Sequence, residues 1–302
     1  MIALLRKKAV GSTVDLFSHG PDPLADTLSH GGDPGLFGPG SVTWPVLGDP
    51  ASFVGGIRAM LLQAAHPEVA AGVSQHSRYR QDPLGRLSRT SAYVSATAYG
   101  ALPEVHAAVR MVNARHRRVA GRSHRDRPYA AAAPELAAWV HNTLVDSFVT
   151  AQQRYGGFRL STADADRFVE EQTAVGRLLG ADPLPATAAS LAAWIGDHPQ
   201  LAPSPGQREA IAFLRRPPLP PAIRVAYGFL FRAAVATVPP RIRQTIGVRR
   251  APGAVVLGRA ATGALRWALG PSPAWQLATT RVGAPPPALG RRPSPAAGTV
   301  GA

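Results

Sequence analysis

One predicted helix carries arginine and hydroxyl side chains on a single face, where they could bind an acidic ligand. Residues spaced three or four apart share a helical face, and here they are Arg86, Arg89, Thr90, Tyr93 and Thr97. The planar guanidinium groups of Arg86 and Arg89 can bind carboxylates through paired hydrogen bonds, and the Thr90 hydroxyl can add another. Such a face is also typical of an ordinary solvated helix, so it indicates a ligand only together with a second feature.

The second feature is a histidine in the apolar stripe of the next predicted helix. The stripe repeats at intervals of three and four residues and consists of Val105, Val109, Val112, His116 and Val119. A buried imidazole without a partner costs roughly 1–3 kcal/mol. It can hydrogen-bond a neighbouring carbonyl or carboxylate group, or it can bind iron through Nε2. Carboxylate-binding arginines beside such an imidazole are what a buried haem requires.

Two further histidines are candidates for the same site. His141, Val145 and Phe148 share one helical face, which makes His141 a second candidate for an iron ligand or a distal group. His66 comes at a predicted helix end, where it could contact a cofactor or cap the helix. Its spacing from His76 does not match a helical metal-chelating pair.

The chain of 302 residues contains no cysteine. Disulfides, zinc–thiolate sites, iron–sulfur clusters, thiolate-ligated haem and covalently attached haem are therefore excluded. Any haem must be held without a covalent link to the chain, and histidine is the expected ligand.

The positive charge of the chain is concentrated in its C-terminal third. Residues 210–302 contain thirteen arginines and no acid, whereas residues 1–209 contain twenty basic and eighteen acidic side chains. A basic surface attracts lipid headgroups or nucleic acid, and it can also serve solubility alone. These arginines are scattered among apolar residues and form no nucleic-acid-binding motif. We expect peripheral membrane contact through this third and no nucleic-acid partner.

No segment is predicted to cross a membrane. The longest apolar stretch, 221–240, is interrupted by Arg224 and Arg232, so it suits an interfacial helix better than a spanning one. The first eight residues place their charges after a short apolar run, which is not the order of a signal peptide. We expect a cytoplasmic protein, and the residue pattern indicates no particular oligomeric state.

Abundant alanine and rare β-branched alternation predict an all-α protein. Proline, glycine and capping residues punctuate the chain into helices, predicted over 52–66, 67–76, 83–100, 103–121, 134–155, 162–179, 187–196, 205–214, 221–238 and 254–269. We expect an irregular N-terminal arm over 1–34, one helical domain over 35–270 and a disordered tail rich in proline and alanine over 271–302.

Several fragments, taken in order, resemble the MpaB-type oxygenases, a family that shares its catalytic domain with the rubber oxygenases (latex clearing proteins). The fragments are Gly38–Ser41 with Trp44, Leu62–Pro67, Ala71–Val73 with His76–Ser77, Arg86–Thr90, His116–Val119 and Trp139–His141.

The resemblance implies a globin-like bundle that binds haem b. In the rubber oxygenases an axial histidine holds the iron beside an Arg-x-x-Lys-Thr motif. Arg86 and Thr90 match this motif, Arg89 replaces its lysine, and His116 is the match for the axial ligand. A distal glutamate of the rubber enzymes has no clear counterpart, and Glu68 is the nearest in sequence.

The family chemistry is the oxygen-dependent cleavage of a carbon–carbon double bond in an isoprenoid chain. The resemblance therefore predicts a haem-dependent oxygenase that uses O₂ on a hydrophobic, isoprenoid or lipid-like small molecule. Two alternatives remain open at this point. The first is a helical protein that binds haem or lipid without catalysis, and the second is a peripheral membrane scaffold.

Overall fold

The computed structural model describes residues 20–290, and within them the all-α prediction is confirmed. The globin-like arrangement of the helices stays a prediction. The α-helices are α1 (Thr43–Gly48), α2 (Ala51–Gln63), α3 (Pro67–His76), α4 (Pro83–Tyr99), α5 (Leu102–His116), α6 (Pro134–Tyr155), α7 (Thr162–Leu178), α8 (Ala188–Gly196), α9 (Pro205–Arg215), α10 (Pro221–Thr237), α11 (Pro240–Thr245), α12 (Ala254–Leu269) and α13 (Pro273–Arg281).

Helix ends follow the punctuation of the sequence. The carboxylate group of Asp82 accepts a hydrogen bond from the Gly85 amide at the start of α4. Ser161 and Asp164 form a capping box at the start of α7, and α6 stops at Gly156. Each device satisfies backbone groups that a helix leaves open at its ends, so the predicted boundaries of these three helices are confirmed.

The core is built around α2 and α6, which pack along each other, with α10 packed on α2 and α12 packed on α10. A Cβ atom at Gly55 would lie 2.7 Å from the Phe148 ring, so only glycine permits this approach of α2 to α6. Arg58 of α2 forms a buried ion pair of 2.6 Å with Asp146 of α6.

Helix α5 is shorter than predicted, because it ends at His116 instead of near Gly121. The next residues form a short antiparallel hairpin of β1 (Ala120–Arg122) and β2 (Pro128–Ala130). A Cβ atom at Gly121 would lie 2.8 Å from the Tyr129 hydroxyl oxygen, so glycine permits the close approach of the two strands. This strand pairing stands where the last helical turn was predicted.

The predicted tail over 271–302 is corrected in its first part, since residues 273–281 form α13. Trp275 and Ala278 are buried in a small core cluster, and the guanidinium group of Arg281 donates hydrogen bonds to the Tyr99 carbonyl and the Thr27 hydroxyl. Pro273 occupies the first turn of a helix, a position that proline tolerates well. The rest of the tail beyond residue 290, and residues 1–19 of the arm, lie outside the described residues.

Helix α11 and the short helix α1, which falls in the Gly/Pro-rich N-terminal stretch, were also not predicted. Within residues 20–290, none of the helices combines the length and the apolar character needed to cross a membrane.

Candidate active site

A narrow apolar cleft separates α4 from α6 and α7. It encloses about 470 Å³ of atom-free space out to its open mouth, of which about 60 Å³ is wide enough for water. Sites for small molecules and cofactors usually measure about 300–1,000 Å³, so the water-accessible space of this cleft is smaller than that of a typical site. Its walls are formed by Leu47, Tyr93, Val94, Thr97, Ala98, Val140, His141, Leu144, Phe148, Gln172, Val175 and Leu179.

Helix α4 is fixed against the rest of the protein at its C-terminal end. The indole nitrogen of Trp44 donates to the Ala98 carbonyl at 2.8 Å, and the Tyr99 hydroxyl donates to the Trp44 carbonyl at 2.8 Å. These two bonds hold the cleft-lining end of α4 against α1.

Four polar side chains line the cleft, and two of them are bonded elsewhere. Thr97 donates to the Tyr93 carbonyl of its own helix at 3.0 Å, and Gln172 donates to the Thr43 hydroxyl at 3.0 Å. The Tyr93 hydroxyl is buried and has no hydrogen-bond partner within residues 20–290, and burial raises the pKa of Tyr93. An unpaired buried hydroxyl group is costly, so Tyr93 presents a donor suited to a ligand in the cleft.

The fourth polar side chain is His141, which is buried on α6. A Cβ atom at Gly176 would lie 3.0 Å from its ring, so the glycine of α7 makes room for the imidazole group. Burial lowers the pKa of His141 to about 4, although a hydrogen bond to the main chain of Gln172 opposes this. At neutral pH the cleft therefore contains a neutral imidazole, the form that binds metals.

The Arg-x-x-Arg-Thr residues precede the cleft-lining part of α4 and are not among the walls of the cleft. Arg86 and Thr90 come two turns and one turn before Tyr93 on the same face of α4. Thr90 is exposed and donates to the Arg86 carbonyl of its own helix at 3.0 Å. Arg89 is exposed and forms a 2.9 Å ion pair with Asp82.

Arg86 differs from Arg89 because the structure gives it no carboxylate partner within residues 20–290. It is half-buried, and its Nη1 atom donates to the Ser77 hydroxyl at 2.5 Å. Burial lowers the pKa of Arg86, and the neighbouring Arg89 lowers it further. A cation that has lost part of its water shell without gaining an acid favours an anionic ligand.

His116 is not among the walls of the cleft. It is the half-buried last residue of α5, and burial lowers its pKa. One turn earlier, Asn113 donates to the Leu178 carbonyl at 3.1 Å, next to Leu179 of the cleft. Of the predicted apolar stripe, Val105 and Val109 are buried. The stripe becomes half-exposed from Val112 onward.

His66 belongs to a separate cluster on the other side of α6. His66 occupies the N-cap position of α3, but its side chain makes no capping hydrogen bond. Its ring packs beside Trp139 and His198. Burial, and next to it the charge of His198, lower the pKa of His66 to about 4. Glu68 is held in the same cluster and does not reach the cleft.

Sequence reasoning missed two contributors to the site. Tyr93 was placed on the right face but received no role, because a sequence does not show that a hydroxyl lacks a partner. Gly176 had a usable signal, since a glycine inside a helical pattern often marks a close approach. Within residues 20–290 no three His, Asp or Glu side chains could hold a metal ion together. A haem iron takes fewer protein ligands than that.

Comparison with known families gives one match. The model described as "ER-bound oxygenase mpaB/B'/Rubber oxygenase, catalytic domain" matches residues 44–267, a range that contains every residue of the cleft wall. No curated protein and no solved structure matches the chain.

Proposed function

Because the chain belongs to the mpaB and rubber oxygenase catalytic-domain family, we propose that it is a haem b-dependent oxygenase that cleaves a carbon–carbon double bond in a hydrophobic, isoprenoid or lipid-like substrate. The family is one of oxygenase catalytic domains. The observation that carries the finer proposal is the cleft, where a neutral buried imidazole and an unpartnered hydroxyl face an otherwise apolar space.

The polar groups of the cleft fit a haem in chemistry, but its space does not fit one in shape. Only about 60 Å³ of the cleft is wide enough for water, so α4 would have to move away from α6 and α7 to admit a macrocycle. The cleft walls are mostly apolar, as suits a macrocycle, and Arg86, two turns before Tyr93 on α4, has no carboxylate partner within residues 20–290. Haem propionates are anions that a guanidinium group binds through paired hydrogen bonds.

Two imidazoles compete for the iron. His141 lines the cleft itself, whereas the resemblance to the rubber oxygenases assigns the ligand to His116, which is not among the cleft walls. The cleft geometry favours His141 as a ligand or distal group, and the motif order favours His116. Arg86 would hold a propionate, and Arg89 and Thr90 stand on the adjoining turn of α4 for a second contact.

When bound, haem would supply the activation of dioxygen. The other functions in this proposal, which are water exclusion, hydrogen-bond donation and control of protonation, belong to residues of the chain. Leu144, Phe148 and Val175 exclude water from the space beside the substrate. The Tyr93 hydroxyl can donate a hydrogen bond to an oxygen atom within the cleft. Low basicity keeps His141 from taking up a proton at neutral pH.

The apolar walls also support the choice of substrate. A cleft whose polar groups are few and mostly bonded to the protein selects against sugars and nucleotides, which need many hydrogen bonds. An isoprenoid chain needs none. The family name includes a rubber oxygenase, and rubber is a polyisoprene.

The test is the absorbance spectrum of the protein from cells given a haem precursor. We expect a Soret band that is lost in His141→Ala or in His116→Ala, whichever residue binds iron, and weakened in Arg86→Ala. His106→Ala is the matched control, since His106 is exposed on α5. A colourless wild-type protein, or a Soret band insensitive to both histidine variants, would overturn the haem assignment.

A second measurement separates an oxygenase from a haem carrier. The haem-loaded protein should consume O₂ with a prenyl lipid and release carbonyl fragments that mass spectrometry detects. No consumption with any prenyl or fatty-acyl alkene, from a protein with an intact Soret band, would leave the non-catalytic binder as the correct reading.

A further inference from the structure

The solvent-facing side of α12 is apolar, in contrast to an ordinary surface helix. Its exposed residues Val256, Leu257, Ala260, Ala264 and Trp267 fall within one side of the helix, and we call them the α12 stripe. Val256 is 69% exposed and Trp267 is 56% exposed. An apolar stripe of this width normally faces the core.

The core-facing side of α12 is already occupied. A Cβ atom at Gly258 would lie 2.6 Å from Ala233 of α10, and the Thr262 hydroxyl donates to the Tyr155 carbonyl at 3.1 Å. The α12 stripe is therefore a second apolar side, opposite the one that packs. Isolated exposed apolar residues are normal in proteins, but contiguous ones mark an interaction surface.

Basic side chains border the α12 stripe. Arg249 and Arg250 are exposed just before the helix. Arg259 flanks the stripe and donates from Nε to the Arg154 carbonyl at 3.0 Å.

An open polar groove continues this basic edge. About 440 Å³ of it is wide enough for water. No acid is among its lining residues, which are Thr150, Gln153, Arg154, Arg159, Leu160, Ala236 and Thr237. We call this the basic groove. It adjoins α12 through Arg154, and no acidic residue follows Glu209 anywhere in the sequence.

We propose that the α12 stripe and the basic groove together dock the protein on the surface of an anionic lipid bilayer. Apolar side chains enter the boundary between headgroups and acyl chains, while arginines at the edge reach lipid phosphates. Trp267 has the amphipathic ring that is enriched at this depth. The inference does not depend on the oxygenase proposal.

Two other partners for this face, a second copy of the chain and a nucleic acid, fit it less well than a bilayer does. A symmetric pair of copies would bury the two α12 stripes against each other but would give the basic groove no acidic partner, since none of the residues after Glu209 is acidic. A nucleic acid would satisfy the basic groove but would leave the α12 stripe in water. Only an anionic bilayer matches both the charge and the apolar side chains.

The test is co-sedimentation of the full chain with phosphatidylcholine vesicles prepared with or without phosphatidylserine. We expect binding to the anionic vesicles that weakens at high salt, since exposed charges are screened beyond about 10 Å at 0.1 M ionic strength. The variant Val256→Ser/Trp267→Ser should bind at least about tenfold more weakly. The variant Arg154→Gln/Arg159→Gln should lose at least about tenfold as well.

Matched controls replace residues of the same type elsewhere. Leu28→Ser/Met111→Ser removes two exposed apolar residues, and Arg110→Gln/Arg115→Gln removes two exposed arginines of α5. Both controls should bind vesicles like the parent protein, and circular dichroism should show every variant folded. Brominated lipid should quench tryptophan fluorescence in the parent but less in Trp267→Phe.

Three results would overturn the proposal. The first is the absence of binding to anionic vesicles, and the second is an equal loss in the control variants. The third is a dimer, seen by sedimentation velocity, that the Val256→Ser/Trp267→Ser change converts to a monomer while vesicle binding stays unchanged. That last result would assign the α12 stripe to a second copy of the chain.

Discussion

Helix α6 separates two buried histidines whose pKa values are both lowered to about 4 but whose surroundings differ. Trp139 packs beside His66 on one side of α6, and His141, two residues later, faces the cleft on the opposite side. Both imidazoles are neutral at neutral pH, and burial is the largest cause in each case.

The surroundings of His66 are packed with aromatic side chains and contain an ion pair. Glu68 accepts hydrogen bonds from Arg125 Nη2 at 2.6 Å and from the Ser123 hydroxyl at 2.8 Å. The His66 ring packs beside His198 and Trp139. His66 Nδ1 and Trp139 Nε1 are nevertheless buried without a hydrogen-bond partner within residues 20–290.

The surroundings of His141 are open on the side of the cleft. Its ring has a hydrogen bond with the main chain of Gln172, no acid lines the cleft, and the Tyr93 hydroxyl has no partner within residues 20–290. Both regions contain an imidazole with a lowered pKa and a buried donor without a partner, so neither property by itself marks a ligand site. Atom-free space beside the imidazole is the sharper criterion.

The largest expected effect is a loss of stability in mild acid on both sides of α6. Each folded pKa of about 4 lies below the ordinary value of 6.5, so the unfolded chain binds more protons between these values. The free energy of unfolding should fall as the pH drops from about 6.5 to 4, by roughly 3 kcal/mol for each histidine.

Urea titrations across this pH range measure the slope, and His66→Gln and His141→Gln should each flatten it. The carboxylate group of Glu68 adds its own loss only at lower pH, because its pKa is already below 4.5. If His141 binds the iron, its share of the slope should continue below pH 4 in the haem-loaded protein, because the unfolded chain still takes up a proton that an iron-bound imidazole cannot, whereas the share of His66 should end near pH 4. An unchanged slope in both variants would contradict the assignment.

The next largest loss of stability is expected only in the cluster around His66 and Glu68. Glu68→Ala should lower the free energy of unfolding by about 3 kcal/mol, because it leaves the partly buried Arg125 without its acid. Glu209→Ala is the control, since Glu209 and Arg80 are both about half exposed, and its loss should stay below about 1 kcal/mol. Equal urea midpoints for the two variants would show that the cluster is not held by its charges.

A smaller effect is expected where the cleft wall is tight. A Cβ atom at Gly176 would press on the His141 ring and the tip of Leu184, so Gly176→Ala should cost about 1–2 kcal/mol and lower haem uptake. Gly263→Ala is the control in another helix, with nothing within 4 Å of its Cβ. That change should stabilise the protein by about 0.5–1 kcal/mol. Thermal unfolding and the Soret absorbance together check the pair.

The smallest effect is expected at Tyr93. Tyr93→Phe removes a hydroxyl without a partner, so the free energy of unfolding should change by less than about 1 kcal/mol. Tyr99→Phe, on the same helix, removes a hydroxyl that donates to the Trp44 carbonyl and should cost about 1–2 kcal/mol. If Tyr93 serves a ligand, only its variant should alter haem spectra or O₂ uptake; a larger stability loss at Tyr93 than at Tyr99 would refute this comparison.

Much of the fold could be predicted because helix ends are encoded locally. Pro134 and Gly156 bound α6, and Asp82 caps α4, in each case through backbone groups of the same segment. Helix α13 escaped prediction because its proline and alanine content looked like a tail. It is held by distant contacts of Arg281 instead.

The candidate site could be predicted only in part. The common face of Arg86, Thr90, Tyr93 and Thr97 follows from helical spacing, and the structure lines the cleft with the last two. The apolar stripe of α5 correctly predicted that Val105 and Val109 are buried, but its residues from Val112 onward are only half-buried. Periodicity tells which side of a helix is apolar, but not where its neighbours stop.

The sequence by itself determined the helical class of this protein, most helix boundaries, its lack of thiol chemistry and its family. These follow from local spacing, composition and ordered motifs. Only the tertiary structure decided that His141 faces an open cleft, that His66 is enclosed by its own partners and that α12 turns apolar residues to solvent. Those outcomes depend on which distant helices pack against each side, and no local pattern contains that information.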